Sequence, residues 1–158
     1  MLHIRHLAKF ILLAALLSLV LPGMGRAASC EVGQAIFEPK DAGGAFTLRA
    51  FEDQGHLLWQ LVVRKTGETF AFRTETDSAG QTWLVSLPRD GEDPDMRMSV
   101  RMLDGKGVET QDRSEVSRVS IFDLWRVFSE YRKRKGQPFE PGTNPPAGMW
   151  DVTECRPK

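Results

Sequence analysis

Three methionines are the residues whose type and spacing most directly suggest chemistry. In the stretch "MRMSVRM", Met96, Met98 and Met102 stand on one side of an alternating pattern. Closely spaced thioether sulfurs can bind Cu(I) in an oxidising compartment, and His56 could complete such a site. The alternative is that flexible, polarisable methionines fill a hydrophobic core, which the same alternation predicts. We therefore expect no bound cofactor and keep a periplasmic Cu(I)-binding protein as an alternative function.

Two arginines occupy the other side of the same segment. Arg97 and Arg101 alternate with the methionines, and Arg49 and Arg73 occur in other β-like segments that could lie beside them. Guanidinium groups bind carboxylates and phosphates through paired hydrogen bonds. Arginines on the solvent side of an antiparallel sheet also commonly pair with carboxylates of that sheet. Binding of a partner protein or an anionic ligand at these four arginines is nevertheless the function that the sequence favours.

Motifs that would identify an enzyme are missing from the sequence. His56 is the one histidine after residue 27, and no nucleophile stands near it. The chain has no nucleophile-elbow, zinc-helix, Walker or dinucleotide glycine pattern. Carboxylates far apart in sequence could still converge, as glycosidases require, so a hydrolase acting on an envelope polymer is a further alternative. No catalytic residue is assigned, and a non-enzymatic role is preferred.

The first 27 residues predict a cleaved signal peptide. Arg5 and Lys9 precede a run of twelve apolar or small residues from 10 to 21, and small residues precede a cleavage point before Ala28. This run is shorter than the roughly 20 residues that a membrane-spanning helix needs. We therefore expect a periplasmic or secreted protein with no transmembrane segment after cleavage, and one globular domain over residues 28–158.

The exported part of the chain is predicted to be mildly acidic. Three of the 21 basic residues and none of the 21 acidic residues lie in the signal peptide, which leaves 18 against 21. Nucleic acids and anionic membranes attract strongly basic surfaces. We therefore expect neither as a partner, and an envelope protein or a small anionic ligand remains.

The two cysteines of the chain, Cys30 and Cys155, predict a disulfide that links the ends of the domain. An oxidising compartment favours the pairing of an even number of thiols. The residues "AASC" also resemble the box that precedes the lipidated cysteine of bacterial lipoproteins, although Ala27 stands where leucine is usual. Lipidation of Cys30 is therefore the alternative to the disulfide.

Short alternating segments separated by turn residues predict an antiparallel β fold. The connections between them are too short for parallel crossovers. The second segment is apolar on both sides, so we expect it to be central and covered on both faces. With one strand at each end of the domain, the sequence predicts a mainly β (α+β) fold, a meander sheet or small sandwich of about 7–8 strands. The five internal segments are 45–51, 56–64, 69–74, 82–87 and 96–103.

One amphipathic helix is predicted near the C-terminus, packed on the sheet. In "SIFDLWRVFSEYRKRKG", the apolar residues Ile121, Leu124, Trp125 and Phe128 recur at helical spacing. Ser120 is the expected N-cap. We expect Trp125 to face the core, so that its replacement by alanine would cost roughly 3–5 kcal/mol.

Overall fold

Eight antiparallel strands close into a barrel in the computed structural model, which describes residues 30–88, 96–137 and 140–156. Each strand pairs with its neighbours in sequence, and the last pairs with the first. A 3₁₀ turn (Val32–Gln34) precedes the first strand, and helix α1 (Leu124–Arg134) connects the last two. The strands are β1 (Ala35–Pro39), β2 (Phe46–Asp53), β3 (His56–Val63), β4 (Glu68–Thr76), β5 (Thr82–Ser86), β6 (Arg97–Leu103), β7 (Arg118–Ile121) and β8 (Gly148–Cys155).

The predicted antiparallel fold is confirmed, but its layers differ from the prediction. Strands β2 to β6 match the five predicted segments to within two residues at each end. The sheet is neither open nor split into a sandwich, because β1 and β8 pair along their length, with Ala35 opposite Cys155 and Pro39 opposite Trp150. Closure of this kind removes the two edge strands that an open sheet would leave unpaired.

Strand β3 shows how alternation fills the barrel interior. Leu57, Trp59 and Leu61 point inward and are almost fully buried. Leu58 and Val62 point outward and remain partly exposed. The prediction that β3 is central and covered on both faces is therefore wrong. In the barrel, β3 is one of eight wall strands, and the core lies on its inner side alone.

The region before α1 differs from the prediction. Residues 118–121 form β7, so Ile121 belongs to the barrel wall and Ser120 cannot cap the helix. Helix α1 begins at Leu124, and Asp123 before it makes no capping hydrogen bond with its side chain. The sequence predicts too early a start for the helix for one reason. Ile121 is buried in a strand, and its spacing from the first helical residues happens to match a helical repeat.

Helix α1 buries a different face from the predicted one. Leu124, Val127 and Phe128 are buried, whereas Trp125 is 49% exposed. The predicted burial of Trp125 is wrong because the buried positions repeat at i, i+3 and i+4 from Leu124, and Trp125 lies one residue off that stripe.

The buried face of α1 closes one end of the barrel. Phe128 meets the ring of the inward-facing Phe70 edge to face, with 4.8 Å between ring centroids. Arg132, only 6% exposed, pairs with Glu68 at 2.6 Å from Nη2 to Oε2 and donates to the Thr143 carbonyl at 3.2 Å. Because Phe70 faces the interior near the start of β4, the helix must lie across that mouth of the barrel.

The predicted disulfide is confirmed. Cys30 and Cys155 are bonded, with 5.9 Å between their Cα atoms and 125 residues between them in sequence. The bond joins the residues before β1 to the end of β8, the two strands that close the barrel. The predicted signal peptide, residues 1–27, lies outside the described residues. Within those residues, no helix has both the length and the apolar character needed to span a membrane.

Replacing Phe128 by alanine should lower the free energy of unfolding by about 3–5 kcal/mol, because a fully buried ring leaves a cavity. Trp125→Ala should lower it by about 1 kcal/mol or less, because half of that side chain is already in water. Denaturant unfolding of the two variants measures both losses. Equal losses would contradict the orientation of α1.

Removing the disulfide should also destabilise the fold, because the bond restricts a very long loop in the unfolded chain. The chain-entropy model gives an upper loss of about 4–5 kcal/mol for the double variant Cys30→Ser, Cys155→Ser. Its unfolding midpoint should match that of the reduced wild-type protein. A midpoint equal to that of the oxidised protein would show that the bond adds no stability.

Candidate functional site

The outward side of β6 presents the two arginines that the sequence singled out. Met98 and Val100 point into the barrel, so the alternating residues Arg97, Ser99 and Arg101 point outward. The neighbouring strands add an aromatic ring on either side of this row, because Trp83 of β5 pairs with Ser99 and Phe122 follows the last residue of β7. We call this surface the arginine–aromatic face, and it consists of Trp83, Arg97, Ser99, Arg101 and Phe122.

A chain of three polar groups fixes one half of the face. The guanidinium carbon of Arg97 lies 4.5 Å from the centre of the Trp83 ring, within the range of a cation–π contact. The indole N–H of Trp83 donates to Oδ2 of Asp77 at 2.9 Å. Oδ1 of Asp77 accepts the backbone N–H groups of Ala79 and Gln81 in the β4–β5 turn. The turn therefore holds the indole in place as a platform for Arg97.

Arg101 occupies the other half of the face with few constraints. Its guanidinium carbon lies 5.7 Å from the ring centre of Phe122, which is 56% exposed. The ion pair with Glu109 is long, at 3.9 Å from Nε to Oε2, and about half of each side chain is in solvent. An exposed pair of this kind contributes little energy. Most hydrogen-bond donors of Arg101 therefore stay available to a ligand.

Two further apolar side chains are exposed, one in register with the face and one near it in sequence. Met149 of β8 stands opposite Ser120, which in turn stands opposite Arg101, so the three form one row across the wall. Trp125 follows Phe122 by three residues, in the first turn of α1, and both Met149 and Trp125 are about half exposed. Large exposed apolar groups that lie near one another commonly mark interaction surfaces.

The other two predicted arginines lie apart from the arginine–aromatic face. Arg73 of β4 is in the same row as Arg97 but two strands away, with Val85 between them. It is also paired with Glu75 at 2.7 Å. Arg49 lies in β2, four strands from β6 in either direction around the barrel, so it is on the opposite side. Barrel closure thus puts Arg49 on a different surface, whereas Arg73 stays in the row of Arg97 and is separated from it by one strand.

The methionines considered as copper ligands belong to the core. Met96, Met98 and Met102 are all buried in the hydrophobic cluster, as their alternative interpretation predicts. His56 lies on the outward side of β3 and is exposed, so it does not join them. Across the described ranges, no group of histidine, cysteine and carboxylate side chains is placed to hold a metal ion.

Sequence reasoning found the arginines of the face and missed its apolar residues. Trp83 alternates with the buried Leu84, which is a signal that Trp83 points outward. The predicted helix includes Phe122, which lies outside α1, and it puts Trp125 on the buried face, so the pattern gives no signal that either side chain is exposed. The pairing of Met149 with β7 depends on strand register across the barrel, which no local pattern encodes.

The hydrogen bond that Trp83 donates to Asp77 depends on the ionisation of that carboxyl group. The hydrogen bond from Trp83 and those from the Gln81 and Ala79 backbone hold the pKa of Asp77 below its ordinary 3.8. Because the pKa of Asp77 is lower in the folded state, the ionised carboxylate stabilises the fold above pH 3.8. That stabilisation is lost as the pH falls through the lowered folded-state pKa.

In ¹H–¹⁵N spectra, the indole N–H signal of Trp83 should therefore shift in one step whose midpoint lies below pH 3.8. The variant Asp77→Asn should lack this step, because an amide does not titrate. A midpoint above that value in the wild-type protein would contradict the hydrogen-bond chain.

Comparison with known proteins adds no family to this picture. No family model matches the chain, no curated protein matches it, and no solved structure matches it. The functional argument therefore starts from the geometry of the arginine–aromatic face itself.

Proposed function

We propose that the protein is a non-enzymatic binding module whose arginine–aromatic face docks an acidic segment of a partner protein. The observation that carries the proposal is the state of Arg97. Its guanidinium is stacked on Trp83 and is near enough to Asp77 to help lower the pKa of that carboxyl, but no carboxylate in the described ranges lies within ion-pair distance of it. A stacked guanidinium keeps its in-plane N–H donors free, and these donors match the two oxygens of a carboxylate.

The apolar residues beside the arginines favour a protein partner over a small anion. A small carboxylate or phosphate would engage Arg97 or Arg101 and leave Phe122, Trp125 and Met149 in water. A polypeptide segment can contact the arginines and also bury those three side chains. Trp, Met and Arg are enriched in the cores of protein interfaces, and Trp and Arg supply many of their strongest contacts.

The expected partner surface follows from these contacts. It should carry two carboxylates that reach Arg97 and Arg101 on either side of Ser99, which offers no bulk between them. Apolar side chains next to the carboxylates would rest on Phe122 and Met149. We place the partner in the bacterial envelope, because the first 27 residues predict export and disulfides form in oxidising compartments.

Capture experiments on envelope extract test the proposal. The immobilised double variant Arg97→Ala, Arg101→Ala should retain at least about tenfold less partner than the wild-type protein, because two interface arginines are lost. Retention by the wild-type protein should also fall as salt is raised, because the contacts are charged. Arg49→Ala is the matched control, since it removes an exposed arginine from the opposite side of the barrel.

Two outcomes would contradict the proposal. One is equal capture by the double variant and the wild-type protein. The other is an equal loss in Arg49→Ala, which would indicate a general charge effect. A third variant, Trp83→Leu, distinguishes the effect of the indole ring from the effect of the arginine charges. It keeps both arginines and should still weaken capture, because Arg97 loses the ring that orients it.

A further inference from the structure

A cleft of about 440 Å³ lies at the barrel rim, beside the turn that joins β2 to β3. Its size is within the range typical of sites for small molecules. Residues from the turn, from β3 and β4, from the segment after β5 and from the β6–β7 connection form its walls. The residues that matter for its chemistry are Asp53, His56, Leu58, Arg73, Leu87 and Arg113.

Two guanidinium groups line the cleft, and a carboxylate outside the lining orients each of them. Arg73 directs Nε and Nη2 to Oε1 of Glu75, both at 2.7 Å. Arg113 places Nη1 3.4 Å from Oε1 of Glu52. A guanidinium has five N–H donors, so Arg73 keeps the donors of Nη1 for another acceptor. No residue in the described ranges accepts from that nitrogen.

The remaining polar groups also favour a ligand that accepts hydrogen bonds. Asp53 is the one carboxylate among the described lining residues, against the two arginines. The imidazole of His56 and the hydroxyl of Thr76 face the cleft without a hydrogen bond to any described residue. Two guanidiniums and one carboxylate therefore line the cleft, and each guanidinium keeps N–H donors that its partner carboxylate does not occupy.

Apolar side chains form another part of the wall. Leu58 points outward from β3 and Leu87 follows β5, and both are partly exposed. A fully hydrated ion such as sulfate would gain nothing from them. We infer that the cleft binds a small organic anion, with its carboxylate held by Arg73 and Arg113 and a short apolar body against Leu58 and Leu87. The site and its ligand are distinct from the docking face proposed above.

Benzoate is a suitable probe, and benzyl alcohol is its uncharged match. On titration into the isotope-labelled protein, benzoate should give saturable shifts of the Leu58 and Leu87 methyl signals and of the His56 ring signals. Benzyl alcohol should bind at least about tenfold more weakly, because the charged contacts are missing. Arg73→Gln and Arg113→Gln should each weaken benzoate binding at least about fivefold, and Arg49→Gln should leave it unchanged.

Three results would overturn this inference. They are no saturation by benzoate up to about 10 mM, equal affinities for benzoate and benzyl alcohol, or wild-type affinity in both cleft variants. The backbone spectra of Arg73→Gln and Arg113→Gln show whether each variant is folded. The double variant Arg97→Ala, Arg101→Ala should bind benzoate like the wild-type protein, so failure of the docking proposal and failure of the cleft are distinguishable.

Discussion

The hydrogen-bond ladder between β1 and β8 is the interaction on which the remaining structure depends. It pairs the first and last strands from Ala35 and Cys155 to Pro39 and Trp150, and it turns a meander into a closed wall. Each inward-facing side chain is surrounded on all sides only because the wall is closed. The interior is then filled by side chains such as Trp59 and Trp150, and α1 covers one end.

The two binding surfaces that we propose lie on the outer wall of the barrel and at its rim. The arginine–aromatic face lies on the wall, where alternation directs Arg97 and Arg101 outward and directs Met98 and Val100, which lie between them in sequence, into the core. The β4–β5 turn fixes the orientation of Arg97 on this face, because Asp77 orients Trp83 and Trp83 orients Arg97. The cleft uses the rim, where turns and connections bring together side chains from β3, β4 and the β6–β7 connection.

Local patterns in the sequence were sufficient for the parts that depend on alternation and composition. Strands β2 to β6, the outward direction of Arg97 and Arg101 and the Cys30–Cys155 bond followed from them. The start of α1 did not, because Ile121 satisfies a strand and a helical repeat equally well. The separation of Arg49 from the face could not be predicted either, since it results from closure, and closure depends on strand tilt and register along the whole chain.

The position of the disulfide has a mechanical consequence. Cys30 and Cys155 lie side by side at the seam where β1 meets β8, with their Cα atoms 5.9 Å apart. Tension applied to the chain before Cys30 and after Cys155 therefore passes through a covalent bond, and the hydrogen bonds of the seam carry almost none of it. A pull on the two termini cannot unzip the barrel while that bond is intact.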